Sequence, residues 1–120
     1  MGIESILFLI GRAVFGGYFL FNAYNHLVHT KHLAGYAQFK GVPSPMFAIF
    51  GSGLLLLIGG LSYLTGSYMQ WGGIALLAFL VPVTFKMHAF WKEQDPQQRM
   101  TERVAFLKNI ALMAAVLMTF

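Results

Sequence analysis

The stretch Phe79-Leu-Val-Pro-Val-Thr-Phe-Lys-Met-His-Ala-Phe-Trp91, then Lys92-Glu-Gln-Asp-Pro-Gln-Gln-Arg-Met-Thr-Glu-Arg103, then Val104-Ala-Phe-Leu-Lys-Asn109, decides how this chain folds. Eight of the twelve charged side chains of the 120-residue sequence lie in it, and the sequence on both sides is almost pure hydrocarbon. Such a pattern describes a chain that leaves an apolar medium, turns in water and goes back in. Lys108 and Asn109 fall inside the returning apolar run, where a polar group is costly.

Composition points the same way. The chain is 58% hydrophobic and 10% charged, against about 25% charged in an average soluble domain. Several runs are apolar on every face, which leaves a soluble bundle no side for water. The expectation is one all-α, integral membrane domain over residues 1–120. Cysteine is absent, which removes disulfides and thiolate metal sites from the menu. The net charge of +4 is borne by loops and reads as an orientation signal, with no nucleic-acid partner. The N-terminal Met-Gly-Ile-Glu lacks the basic region of a cleaved signal, so the first apolar run is expected to be retained.

Working outward, four spanning helices are predicted, at about 3–29, 45–65, 68–91 and 96–119, in an antiparallel up-down four-helix bundle. The first is interrupted by Arg12 and closes on Asn22, Asn25 and His26. Residues 30–44 read as a polar loop, with Ser44 as N-cap and Pro45 as the first residue of helix two. Helix two carries no charge, and its roughly 20 residues match one hydrocarbon thickness of about 30 Å. Gly66 ends it and Ser67 is placed to cap helix three. Pro82 leaves the carbonyl of Ala78 without a donor and predicts a kink. Asp95 and Gln98 have the spacing of a capping box at the start of helix four. Glycines 11, 16, 17, 51, 53, 59 and 60 predict close helix crossings. Lys31, Lys40, Lys92, Arg99 and Arg103 all fall on one side, which makes that side cytoplasmic and both termini external in a cell (plasma or inner) membrane.

Three groups of residues invite a functional reading. Arg12 lies about 14 Å into helix one, where a cation costs roughly 2.5–3.5 kcal/mol on insertion scales. It is expected to face the bundle, as is Lys108, arriving from the opposite side. Either both snorkel or bond to carbonyls, or they await an anionic or carbonyl-bearing ligand. Asn22, Asn25, His26 and His29 share one helix face at i, i+3, i+4, i+7 spacing, with His88 at similar depth. They form either an interfacial hydrogen-bond network or the proton-exchanging rim of a pocket. His26, His29, His32 and His88 could be combined into a metal site, but no carboxylate or thiolate accompanies them, and no metal is assigned. The aromatic residues, 16% of the chain, serve packing and interfacial anchoring, as Trp91 does at a ring position.

Many small motifs agree with one known pattern. Arg12, Asn25-His26-Leu27, Leu33-Ala-Gly-Tyr36, Gly41-Val-Pro-Ser-Pro45, Gly59-Gly60, Met87-His-Ala-Phe-Trp91, Asp95-Pro96 and Phe106-Leu-Lys-Asn-Ile-Ala-Leu112 together resemble the DoxX-like family, in order and over nearly the whole chain. The resemblance implies a four-helix integral membrane fold and a link to quinone-dependent oxidase or thiosulfate:quinone oxidoreductase systems. Many members carry a glutamate in helix two before the paired glycines; here that stretch is Leu54-Leu-Leu-Leu-Ile58, so a mechanism needing an acid there does not transfer. The expectation is a small membrane subunit or accessory protein of a quinone-linked redox system. Its partners would be the bilayer, a membrane or peripheral redox protein and further copies of itself, and a quinone or lipid headgroup would sit among Arg12, Asn22, His26, His88, Trp91 and Lys108. The competing expectations are a non-enzymatic scaffold or assembly factor and a small lipid or solute carrier. No nucleophile–base pair suggests a self-sufficient hydrolase.

Overall fold

The computed structural model describes residues 2–120. Among them every regular element is helical: α1 (Ile3–Val28), α2 (Thr30–Phe39), α3 (Pro45–Thr65), α4 (Met69–Met87) and α5 (Pro96–Leu117), with a 3-10 turn at Phe90–Lys92. Three segments are long and apolar enough to cross a membrane: Ile3–Val28, Pro45–Thr65 and Met69–Lys92. The molecule measures 51 × 28 × 19 Å, a slab about two helices thick.

Five helices replace the expected four. Residues 30–39, expected as loop, form α2, which buries Ala34 and Ala37 against its neighbours. Its end is a Schellman turn: Gly41 takes φ +83°, Val42 N–H donates to Ala37 O and Gly41 N–H to Gln38 O, both at 3.0 Å. At its start the Thr30 hydroxyl donates to the His26 carbonyl at 2.7 Å, tying α2 to the last turn of α1.

The bounds of α3 match the expectation, but its cap does not. Ser44 sits in the left-handed region at φ 46° and its side chain accepts nothing from the helix. Gly66 closes α3 at φ 73°. Ser67 is not the cap of α4; that position is Tyr68, at φ 54°. The buried Ser62 hydroxyl closes this turn from inside, facing the carbonyls of Ser67 and Tyr68 at 2.6 and 2.9 Å. Helix α4 runs through Pro82 but ends at Met87, four residues early. Ala89 is buried there, and the 3-10 turn lays Phe90 and Trp91 against Phe106 of α5. Asp95 caps α5 as expected, accepting from Gln98 N–H at 3.0 Å.

Packing follows the glycines on one side of each helix. A Cβ on Gly16 would lie 2.6 Å from Leu64 N, and one on Gly60 2.9 Å from Leu20 N, so α1 and α3 meet at backbone distance. Gly11, Gly17 and Gly51 have open space around them. Helix α3 also packs on α2 and α4, and α4 on α5. The core comprises Phe19, Ala23, Leu56, Tyr63, Leu76, Leu80 and Val116. Outside it, Ile3, Leu7, Phe8, Phe47, Ile58 and Ile74 are exposed, a surface suited to acyl chains.

Candidate functional site: a cleft beneath a buried ionic clasp

A cavity of about 580 Å³ lies between α1, α2, α3, α4 and α5. Its walls are apolar, from Phe19, Leu33, Phe47, Leu55, Phe79 and Leu112. Its polar groups are Asn22, His26, Ser52, Lys86, His88, Lys108 and Asn109. Each is delivered by helix register. Asn22 and His26 are one turn apart on α1, and Lys108 and Asn109 are adjacent on α5, so that Asn109 is buried while Lys108 stands at the exposed edge.

The hydrogen bonds fix some of these groups and leave others open. His26 Nδ1 lies 2.8 Å from Ser52 Oγ and 3.4 Å from the carbonyl of Ile49. The carbonyl can only accept, and Ser52 already donates to Ile49 O at 2.9 Å. The ring's proton therefore belongs on Nδ1, and Nε2 is left as an acceptor with no partner among the described residues. The ring packs edge-on against Phe79. Lys108 Nζ donates to the Tyr18 hydroxyl at 3.2 Å, linking α5 to α1 across the cleft. Pro82 has no N–H to offer the carbonyl of Ala78, and both residues line the cavity.

Above the cleft stands a cluster that includes the one buried acid among the described residues. Glu102, 3% exposed, accepts from Lys40 Nζ at 2.9 Å, and Lys40 donates also to Glu93 at 3.1 Å. His88 Nδ1 faces the same Glu102 oxygen at 3.5 Å, outside hydrogen-bond geometry. The clasp joins the end of α2, the exit of α4, the 3-10 turn and α5. Burial by itself would lower the Lys40 pKa; the hydrogen bonds to Glu102 and Glu93 and the charge of Glu102 outweigh it, and the ammonium is held above the ordinary lysine value.

Of the six residues expected to share a site, Asn22, His26, His88 and Lys108 line this cleft. Arg12 and Trp91 do not. Trp91 packs against Phe90 and Phe106, half exposed. Arg12 lies in a separate cavity of about 240 Å³ with Tyr63, Met69 and Thr119. Asn109 and Lys86, absent from the expected set, belong to the cleft. Their signal was legible as polar residues inside apolar runs. The Glu102 clasp had no such signal, because the first turns of α5 read as solvated. Among the described residues, no three His, Asp or Glu side chains converge as metal ligands.

An all-helical chain with three spans of membrane length and a largely apolar cavity among its helices is a multi-pass membrane protein. Residues 7–89 match the DoxX family, more than half of the sequence, and the chain belongs to that family. No curated protein and no solved structure matches it.

Proposed function

We propose that this DoxX protein is a small subunit or accessory protein of a quinone-linked membrane redox system, and that the 580 Å³ cleft holds the quinone head. The four long helices are taken to cross a cell membrane in alternating directions, with the basic end in the cytoplasm. The observation that carries the reading is the pairing of apolar walls with polar groups left unsatisfied by protein. His26 Nε2 and the Asn109 amide have no hydrogen bond to any described residue, and the Ala78 carbonyl has lost its helical donor. A flat ring with a carbonyl at each end and an apolar tail needs this combination.

The group fits the residues present. Lys108 and the Asn109 amide can donate to a ring carbonyl, and His26 Nε2 can accept from a ring hydroxyl in the reduced form. A bound quinone would supply two-electron redox capacity; the protein's part is to orient the ring, exclude water from it and hold a proton near Nε2. Equilibrium binding of a short-chain quinone to the purified protein tests this. His26→Leu and Asn109→Leu should each weaken binding about tenfold or more, as loss of a buried polar contact does. Affinity unchanged in both, with the proteins folded, would reject the cleft as the quinone site.

A second reading draws on the clasp. Lys40, Glu93 and Glu102 tie the end of α2, the 3-10 turn and α5 together without any ligand, with His88 packed beside them, as a scaffold or assembly factor would need. On this reading His88 is structural, and His88→Ala lowers melting temperature while leaving quinone affinity alone.

A further inference from the structure

The second cavity, at the α3–α4 turn, belongs to none of the machinery above. Arg12 reaches it from α1. A Cβ on Gly66 would lie 2.5 Å from Arg12 Nη1 and 2.7 Å from Cζ, so the guanidinium rests on the turn itself, at a position only glycine leaves free. The turn carries Tyr68 and Trp71, 82% and 69% exposed, the residue types that sit at headgroup depth. Arg12 forms no ion pair or hydrogen bond with any described residue, and its Nε is buried and unpartnered.

The other polar groups of this cavity are closed to a ligand's acceptors. The Thr119 hydroxyl donates to the Val116 carbonyl at 2.6 Å. Its oxygen lies 2.6 Å from the Tyr63 hydroxyl, which must then be the donor of that pair. Both protons are taken, and Arg12 is the donor that remains. The rest of the lining is Leu7, Phe8, Gly11, Phe15, Met69 and Ala115, apolar and open toward acyl chains. Arg12, expected deep within helix one, instead lies level with the α3–α4 turn, against Gly66. One cation at an aromatic-bearing turn beside a hydrocarbon groove describes the two ends of a phospholipid.

We propose that the Arg12 cavity is a binding site for a membrane phospholipid, with the phosphodiester on the guanidinium and part of an acyl chain in the groove. A planar guanidinium suits phosphate oxygens in paired hydrogen bonds. The site stands apart from the quinone cleft and does not depend on that assignment.

The test is lipid retention by the purified protein in native mass spectrometry, with added phosphatidylglycerol, phosphatidylcholine and diacylglycerol, and with inorganic phosphate. Both phospholipids should be retained and diacylglycerol should not. Arg12→Gln should reduce retention about tenfold or more, and Arg12→Lys should keep part of it. Ala115→Phe, which fills the groove and leaves the arginine, should also abolish retention, and it serves where Arg12→Gln fails to fold. Diacylglycerol retained as well as phospholipid, or a folded Arg12→Gln retaining lipid like the parent, would overturn the site. Inorganic phosphate binding as tightly as the lipids would make it a site for the free anion and overturn the lipid.

Discussion

The two ends of the molecule treat one half-buried or buried cation each in opposite ways. At the basic end, Lys40 is held by two carboxylates, and even His88 is aimed at one of them. At the α3–α4 end, Arg12 lies half-buried, and among the described residues no carboxylate and no carbonyl accepts from it. The satisfied charge serves folding, and the open one is the charge we propose binds a lipid. Each cavity sits beside one of these arrangements, and substitutions at the two ends should separate them.

The largest effect should follow Lys40→Met, which leaves the buried Glu102 carboxyl without its closest partner. The expected loss is about 3 kcal/mol, read as a lower melting temperature in detergent. The same pair sets a pH dependence. Because Lys40 has a raised pKa in the folded protein, its contribution is fully present below the unfolded value of about 10.4 and is lost as pH climbs through the folded value. The parent should therefore lose stability above that pH by a step that Lys40→Met lacks; identical alkaline profiles would remove the clasp from the account.

Gly60→Leu should come next. Its side chain would be driven into Leu20 at the α1–α3 crossing, at a cost of about 1–3 kcal/mol, with Gly51→Leu near neutral as its control. Tyr18→Phe removes the acceptor of Lys108 and should cost about 1 kcal/mol or less. Smallest of all should be Arg12→Gln in lipid-free detergent, within about 0.5 kcal/mol. Should Arg12→Gln in fact destabilise as strongly as Lys40→Met, the contrast between the ends would collapse.

The sequence reveals the spans because their signal is length and apolarity, which need no partner to be read. Hence α3 is expected over the residues it occupies; Asp95 is likewise expected where it is found, at the cap of α5. What it hides is contact. Helix α2 is ten residues long, and its Ala34 and Ala37 become an apolar face only once α3 lies against them; the Gly41-Val-Pro run that marks its end is equally at home in a loop. Glu102 sits in a charged turn and reads as solvated until Lys40, far away in sequence, is placed beside it. Arg12 and His26 are both polar residues of one helix and so were grouped together. They are 14 residues apart, about 21 Å along the axis, and Arg12 turns toward Gly66 while His26 turns toward Ser52.

The central claim, that a quinone occupies the cleft at the basic end, is tested most directly by photolabelling the protein in membranes with an azidoquinone and mapping the modified residues. The account predicts label in the segments 22–26, 47–55, 78–88 and 108–112, lost when excess unlabelled quinone is present and reduced in His26→Leu. Label confined to the Arg12 cavity, or spread over the lipid-facing residues and not displaced by quinone, would contradict it.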